Sequence, residues 1–349
     1  MNTFRRYSES RDDRAKLGRI QAFLSILSYF LVDVLGSPRR FARVMWRIST
    51  NLSAQVKVLG LLRIGVLSGY VYANPRFLFK ALSPEYLLRG LPASTRSACF
   101  LYHYQKLHAV CTDNLFTRLM DEDLPVFQKQ DGECLVEVTL GRSRHIKGSR
   151  FVDHEGELSL NLVVDRIRVY VFSFTIVPGW VVGSEAAEAL MLTRLQGELS
   201  VFSKTQLASK ATRGMPPEMI LISALRGVAE ALGIHVVAGV RADLNLCYDQ
   251  EDDAVFRKAY DFFFLRVGAV GNSSGFFLVS FPLPKKPLSE VKRGQKTRTR
   301  ARRALEMEMA TEAYEYLRQH GIAAAERIAE WSDILAPEVP EPDEELAGA

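Results

Sequence analysis

Hydrophobic residues recur with a helical period through the first third of the chain and alternate with polar residues from about residue 131 onward. Apolar positions three or four residues apart share one face of a helix, whereas every second residue shares one face of a strand. The first pattern predicts helices across residues 1–125. The second predicts strands within 134–144, 157–179 and 190–202, joined by turns that contain Gly or Pro.

Helical spacing returns from Pro217 to Leu232, and a short apolar run, His235 to Val240, follows it. A further helix is predicted over 254–267 and a last strand over 275–284. A series of strands followed by helix, strand, helix and strand predicts an α+β fold, with a mixed, mostly antiparallel sheet flanked by helices. An all-helical N-terminal region precedes this sheet.

Four segments are therefore expected along the 349 residues. They are a helical N-terminal region (1–125), an α+β domain (126–290), a basic helix with further C-terminal helices (291–335) and an acidic, proline-rich tail (336–349). The composition of the tail is typical of disordered segments.

The apolar segment at residues 22–35 has the character of a signal peptide, but no small-residue cleavage site follows it. It is also shorter than the roughly 20 residues that cross a bilayer. Its apolar residues recur at helical spacing and predict an amphipathic helix: Leu17, Ile20, Leu24, Leu27, Leu31 and Val34. Packing against the rest of the protein is the commoner use of such a face, and attachment to an anionic membrane surface is the alternative.

The net charge of +5 comes largely from one place, since seven basic residues lie between Lys292 and Arg303. Such a run either forms the solvated face of a helix or binds phosphates, but it lacks the interleaved aromatic residues that stack on bases. Nucleic acid is therefore not favoured as a partner. The four cysteines and six histidines are dispersed, which predicts no metal site and a reducing, cytoplasmic compartment, with peripheral attachment to the inner membrane face as the alternative.

A possible phosphate site lies where the helix at Pro217 begins. Unpaired N–H groups and the helix dipole favour anions at such a position, so a pyrophosphate at Arg213, Gly214 and Met215 could be held by backbone amides. Pro216 and Pro217 fit the first turn, where a missing N–H costs nothing. A purely structural turn is equally consistent with this pattern.

Five phrases in a fixed order resemble the VirK/YbjX family of bacterial proteins over roughly residues 94–305. They are EGELSL, RLQG, KATRGMPPEMIL, AYDFFFLRVGA and FPLP, followed by an arginine-rich helix. The resemblance implies a link to bacterial virulence and to resistance against cationic antimicrobial peptides. The biochemical activity of the family is not established, so the resemblance implies no particular reaction.

The element order over residues 130–285 is also similar to that of the GNAT acyltransferase superfamily. That resemblance implies acyl-CoA or acetyl-CoA as the cofactor, with its pantetheine beside the fourth strand, here Leu190 to Glu198, and its pyrophosphate at the following helix. Leu195, Gln196 and Gly197 would then contact the pantetheine, and residues 213–215 the pyrophosphate.

Three positions depart from the GNAT pattern. Ala211 and Pro216 stand where the pyrophosphate motif has other residue types, and Phe264 stands where a tyrosine acid is usual. Arg213 could replace the lost positive charge.

Candidate catalytic groups come from the remaining polar residues. Glu198 ends the presumed fourth strand, where a carboxylate that is buried could accept a proton from an amine. Tyr260 and Asp261 begin the late helix and could assist a leaving thiolate. Glu157 alternates with apolar residues and is expected to face solvent. The aromatic residues around His103 are expected to belong to the core.

Three functions remain open. The first is an N-acyltransferase-like enzyme that uses acyl-CoA and acts on a peptide or cell-envelope component. The second is a catalytically inactive GNAT-like scaffold that binds a protein partner or the inner membrane surface. The third is an RNA-binding protein that uses the basic run. The sequence does not predict an oligomeric state.

Overall fold

The structure, a computed structural model, describes residues 18–29, 37–144 and 154–322. Its centre is an open sheet of eight strands: β1 (Asp123–Asp131), β2 (Cys134–Arg142), β3 (Leu158–Val164), β4 (Ile167–Pro178), β5 (Glu188–Gly197), β6 (Val236–Val240), β7 (Val270–Gly271) and β8 (Phe276–Ser280). They lie in the order β1-β2-β3-β4-β5-β6-β8-β7. Neighbours are antiparallel except β5 and β6, which are parallel.

Helices surround this sheet: α1 (18–29), α2 (Pro38–Ser49), α3 (Leu52–Leu59), α4 (Gly65–Ala73), α5 (Ala93–Val110), α6 (Asp113–Asp121), α7 (Phe202–Ala211), α8 (Pro217–Leu232), α9 (Asp253–Ala259), α10 (Asp261–Arg266) and α11 (Lys296–His320). α5 packs on β4 and α6 on β2, α8 contacts β3 and β4, and α11 runs along α8. The expected α+β fold with a mostly antiparallel sheet flanked by helices is confirmed.

Three local expectations are wrong. β1 begins at Asp123, where a helix was expected to continue, and it pairs with β2 despite Pro125 because its register is interrupted between Pro125 and Phe127. α7 forms between the predicted strand at 190–202 and the predicted helix at Pro217, where no element was expected. The predicted helix over 254–267 is divided at Tyr260 into α9 and α10. Residues 1–17, 30–36 and 323–349, including the predicted acidic tail, lie outside the described residues.

α8 has the predicted bounds because its end signals are strong. Pro217 occupies the first helical position, and Gly233 ends the helix in the left-handed conformation at φ 75°. Its buried residues include Ile220, Leu221 and Leu225. The long helix α11 approaches α8 so closely that a Cβ at Gly227 would lie 2.0 Å from the Ala310 carbonyl oxygen.

A buried carboxylate joins the N-terminal helices to the sheet. Glu157 is fully buried, so the expectation that it faces solvent is wrong. Lys80 Nζ lies 2.8 Å from Glu157 Oε1, Tyr86 donates to the same oxygen at 2.7 Å, and Tyr104 donates to Oε2. Burial alone would raise the pKa of Glu157, but Lys80, His103 and the hydrogen bonds together lower it.

The aromatic residues around His103 belong to the core, as expected. Phe100 and Tyr104 are fully buried, and their ring centroids lie 5.0 Å apart. His103 Nδ1 accepts the Ile176 amide at 3.0 Å, and burial lowers the pKa of this imidazole to about 4. The ring is therefore neutral at physiological pH and serves the packing of α5 on β4.

Within the described part of the chain, no single helix is both long and apolar enough to cross a bilayer. One bent pair, Leu52–Arg63 with Gly65–Ala73, meets the length and composition requirements together, but its halves meet at 107°.

Candidate functional site

The two parallel strands β5 and β6 pair over a short stretch, because β6 ends at Val240, one residue after the last pair. β5 pairs with β6 at three positions, from Leu190 opposite Val237 to Leu192 opposite Gly239. β5 then continues to Gly197, and a β-bulge at Thr193 interrupts its register with β4 directly after the last pair. A bulge bends the strand that carries it. Beyond Leu192 and Gly239 the two strands are not paired with each other, and this unpaired stretch at their carboxyl ends is here called the strand opening.

Backbone groups of β5 line one side of the strand opening. Glu198 N–H donates to the Val169 carbonyl of β4, so in the antiparallel register the polar groups of Gly197 and Leu195 point away from β4. Two side chains already contact this edge. The Leu195 amide donates to the Tyr260 hydroxyl at 3.3 Å, and Asn245 Nδ2 donates to the Thr193 carbonyl at 2.8 Å.

The hydroxyl group of Tyr260 is a proton donor next to the strand opening. Burial raises the pKa of its hydroxyl, with the nearby Glu155 carboxylate adding to the effect, so the group is protonated at neutral pH. Because its oxygen accepts the Leu195 amide, its hydrogen remains available to an acceptor within the opening. Phe264, one helical turn further on, is fully buried, and a Cβ at Gly239 would lie 2.2 Å from its ring.

A buried ion pair that sequence reasoning missed lies beside the opening. Arg194 Nη1 is 2.9 Å from Glu155 Oε2, with the side chains only 3% and 1% exposed. The exposed Cys247 places its sulfur 3.3 Å from Glu155 Oε1. Burial raises the pKa of Glu155 more than Arg194, Cys247 and their hydrogen bonds lower it. An arginine inside the apolar strand LMLTRLQG was the available signal, because a buried charge requires a partner.

The other predicted site residues on β5 have less access to this opening. Gln196 is exposed, and its side-chain oxygen accepts from Arg194. Glu198 is also exposed, and Ser200 donates to its Oε1 at 2.9 Å. Glu198 therefore lacks the burial that the hypothesis of a proton-accepting carboxylate at this position requires.

Asp261 is buried, and its carboxylate accepts a hydrogen bond from a backbone amide. Its Oδ1 accepts the Ala242 amide at 2.9 Å, just beyond the end of β6. Burial raises the pKa of this carboxyl group, with the Ala242 amide and Arg257 acting in the opposite direction. Asp261 thus fixes the chain after β6 and holds Tyr260, the preceding residue, next to the strand opening.

The amides expected to be free at the start of α8 are occupied. Arg213 N–H donates to Lys210, Gly214 N–H to Ser209 at 2.6 Å, and Met215 N–H to Thr212. Arg213 and Gly214 both adopt positive φ, 58° and 73°, and together they end α7 by bonding back to its last carbonyls. The expectation that these three amides are unpaired is wrong, although phosphate binding near them stays a prediction.

Arginines of α11 lie over the same loop. Arg302 donates to the carbonyls of Arg213, at 3.0 Å, and of Gly214. Arg298 is also close, since its Nη2 would lie 2.7 Å from a Cβ at Gly214. Partial burial and the neighbouring Arg298 lower the pKa of Arg302. The positive charges of Arg298 and Arg302 therefore lie close together, and an anion bound beside them would be stabilised.

A groove of about 510 Å³ extends from this loop between α8, the end of α10, residues 281–286 and α11. We call it the arginine groove. Met215 and Met219 contribute to its apolar surface, and six basic residues line it: Arg226, Arg266, Lys285, Lys286, Arg302 and Arg303. Carboxylates pair with three of them, Arg226, Arg266 and Lys285. Arg303, like Arg302, donates to a backbone carbonyl, and positive charge is in excess.

No three His, Cys, Asp or Glu side chains converge as a metal site in the three described stretches. The chain also matches the model of a family described as a protein of unknown function, DUF535, over residues 39–314.

The chain belongs to the DUF535 family. This is the VirK/YbjX family, so the resemblance seen in the sequence is confirmed at the level of the family. No curated protein and no solved structure matches the chain. No reaction is known for the DUF535 family. The strand opening and the arginine groove are therefore the features of this chain from which a function can be inferred.

Proposed function

We propose that the protein binds an acyl-CoA in the strand opening and transfers the acyl group to an amine of a peptide or cell-envelope component, as GNAT-like N-acyltransferases do. The observation that carries this proposal is that β5 and β6 are not paired with each other beyond Leu192 and Gly239. An extended pantetheine carries amide groups, and an unpaired strand edge offers complementary donors and acceptors. Gly197 and the carbonyl of Leu195 lie on such an edge, whereas the Leu195 amide donates to the Tyr260 hydroxyl.

The arginine groove supports the proposal from the phosphate end of the ligand. The amides of residues 213–215 are occupied, so a diphosphate there needs side-chain donors. Arg298 and Arg302 lie over Gly214 and can supply charge-assisted hydrogen bonds. The adjoining apolar surface with a basic rim suits a nucleotide that carries phosphates.

The residues at the opening suit acyl transfer. An acyl-CoA supplies a thioester, whose acyl carbon forms a bond to the amine nitrogen while its bond to sulfur breaks. Tyr260, whose oxygen accepts the Leu195 amide, donates a proton to the departing sulfur. The proton released by the amine passes to solvent at the rim where Glu198 is exposed, because Glu198 lacks the burial that a base at this position would require. Asp261 acts as a positioning residue through Ala242.

Ligand-induced stabilisation tests the proposal. Titration with CoA and acetyl-CoA should raise the melting temperature of the full chain and give a saturable heat by calorimetry. Arg302→Gln should weaken CoA about tenfold or more, because a hydrogen bond to a charged group is worth about 1.5–3 kcal/mol and 1.4 kcal/mol corresponds to tenfold.

The matched control is Arg300→Gln, an exposed arginine on the same helix that does not line the groove. It removes the same charge and should bind CoA within about twofold of the wild type, by the small effect of a distant exposed charge. Absence of any stabilisation by CoA in the wild type would contradict the proposal.

A catalytically inactive scaffold is the second candidate, and two observations favour it. The amides at residues 213–215 are occupied. Phe264, where GNAT enzymes usually have a tyrosine acid, packs on Gly239 and carries no proton to transfer. Release of free CoA from acetyl-CoA in the presence of amine acceptors separates the two candidates, because a scaffold would bind CoA without releasing thiol. RNA binding by the basic run has less support, since residues 292–303 contain no aromatic side chain that could stack on bases.

A further inference from the structure

The first helix exposes apolar residues along one side. In α1, Ile20, Phe23, Leu24 and Leu27 recur at helical spacing and are 45–60% exposed. The opposite side of the helix is buried, with Ala22 fully inaccessible. Sequence reasoning favoured packing of the apolar face against the protein, yet its described members Ile20, Leu24 and Leu27 face outward. Leu17, Leu31 and Val34 lie outside the described residues.

The next two helices also expose apolar residues, but only α3 has a buried opposite side. In α3, Leu52, Val56 and Leu59 occupy positions i, i+4 and i+7 and are exposed, while Val58 between them is buried. In α2 the most exposed large apolar residue is Trp46, at 70%. We call the outward apolar residues of these three helices the N-terminal apolar face: Ile20, Phe23, Leu24, Leu27, Phe41, Met45, Trp46, Leu52, Val56 and Leu59.

This face belongs to a folded part of the protein. Ser25 Oγ of α1 donates to the Tyr72 carbonyl of α4 at 2.8 Å, and the ring centroids of Tyr29 and Phe79 lie 5.9 Å apart. The residues beneath the face continue into the main hydrophobic core through Leu67 and Val71. The exposed apolar side chains are therefore held in place by a packed layer of helices.

Basic residues dominate the helices that carry the face, although the acid that follows them, Glu85, acts on Arg47 and raises its pKa. Neither residues 18–29 nor residues 37–84 contain an Asp or Glu, whereas basic residues are frequent in both. Arg39, Arg43, Lys57 and Arg63 are exposed on the helices or turns that carry the face. Burial and the neighbouring Arg43 lower the pKa of Arg47, as expected where cations are crowded.

We propose that the N-terminal apolar face docks on an anionic lipid bilayer. Apolar side chains enter the acyl boundary while the basic side chains between them meet lipid phosphates, which is the arrangement of interfacial helices. A second copy of the same face is a poorer partner, because pairing would bring the basic residues of both copies together with no acid in these segments to neutralise them. The inference does not depend on acyl transfer.

Vesicle co-sedimentation of the full chain tests this inference. Phosphatidylcholine vesicles that contain phosphatidylglycerol should bind the protein, phosphatidylcholine alone should bind it much less, and added salt should weaken the binding. The double variant Arg39→Gln, Arg43→Gln should lower the partition coefficient about 25-fold, from about 1 kcal/mol for each basic residue near an anionic surface.

The apolar contribution is tested separately. Phe23→Gln with Leu24→Gln should reduce binding by about tenfold or more, because each side chain loses apolar area that would be buried in lipid. The matched control is Phe202→Gln with Val255→Gln, which removes two apolar residues that are 66% and 64% exposed on α7 and α9. All variants change exposed residues, so circular dichroism and melting should stay close to the wild type.

Three results would overturn the inference. The first is equal sedimentation with and without anionic lipid. The second is equal losses in the control and the Phe23/Leu24 variant. The third is a concentration-dependent dimer that the Phe23/Leu24 variant abolishes while vesicle binding is unchanged, which would make a second copy the partner.

Discussion

Glu157 and Glu155 lie two residues apart in the chain before β3, and both are buried, yet their surroundings differ. Three donors from the N-terminal helices, Lys80, Tyr86 and Tyr104, meet Glu157, and its pKa is lowered. Glu155 has Arg194 and the thiol of Cys247, and its pKa is raised. One region is closed and fully hydrogen-bonded, and the other adjoins the strand opening.

The different surroundings of the two carboxyl groups indicate different roles, one in the stability of the fold and the other in the chemistry of the candidate site. A carboxylate with enough donors is ionised and fixes two layers of the protein to each other. A carboxyl group whose burial is incompletely compensated, beside an exposed cysteine and a protonated tyrosine, is typical of functional sites. Glu157 therefore belongs to the framework, and the neighbourhood of Glu155 and Tyr260 to the site.

The largest expected effect is on the closed region. Glu157→Gln leaves the charge of Lys80 buried without its partner, so we expect a loss of about 3–5 kcal/mol in the free energy of unfolding, as for other broken buried pairs. Urea unfolding followed by circular dichroism measures it. Glu133→Gln, an exposed glutamate in the turn before β2, is the control and should change stability by less than about 0.5 kcal/mol. Similar small losses in both variants would remove the distinction between the regions.

Tyr260→Phe addresses the open region. It keeps the buried ring and removes the hydroxyl, so CoA affinity should stay close to that of the wild type while the rate of acyl transfer falls about 100-fold or more, within the range for a lost general acid. Single-turnover kinetics with calorimetry separates these quantities. If the variant loses CoA binding and transfer in proportion, Tyr260 contributes to binding and not to proton transfer.

The pH dependence of stability gives the smallest effect. Because the folded pKa of Glu157 is below its unfolded value, the stability that it contributes is present above about pH 4.3, the unperturbed value, and is lost as pH falls toward the folded pKa. The raised pKa of Glu155 has the opposite sign, since stability increases as pH falls through its folded value.

We therefore expect the difference in unfolding free energy between wild type and Glu157→Gln to shrink below about pH 4. Urea unfolding at several acidic pH values measures the difference. A gap that is independent of pH would show that Glu157 does not titrate below its usual range.

Local signals explain what the sequence could predict. Proline at the start and glycine at the end set the bounds of α8, and alternation located β2, β5 and the segment that forms β3 and β4, but not β1. The contact between Arg302 and Gly214 joins residues 88 positions apart, and no local pattern connects them. That the side chains of Leu24 and Leu27 face outward could not be predicted either. A periodic pattern shows that residues share one face of a helix, but it does not show what covers that face.

The two carboxylates show the same limit. Alternation with Leu158 and Leu160 suggested an exposed Glu157, and the opposite result depends on donors supplied by residues 80, 86 and 104. For the strand opening, only the order of the strands on either side could be predicted from the sequence. The extent of this opening depends on the bulge at Thr193, which no local pattern predicts.

A crystal structure of the full chain with CoA at saturating concentration tests the account most directly. The account predicts pantetheine density between β5 and β6, hydrogen-bonded to the backbone of Leu195 or Gly197, with the phosphates near Arg302. Strands β5 and β6 paired beyond Leu192, or a strand opening without density in the presence of saturating ligand, would contradict it.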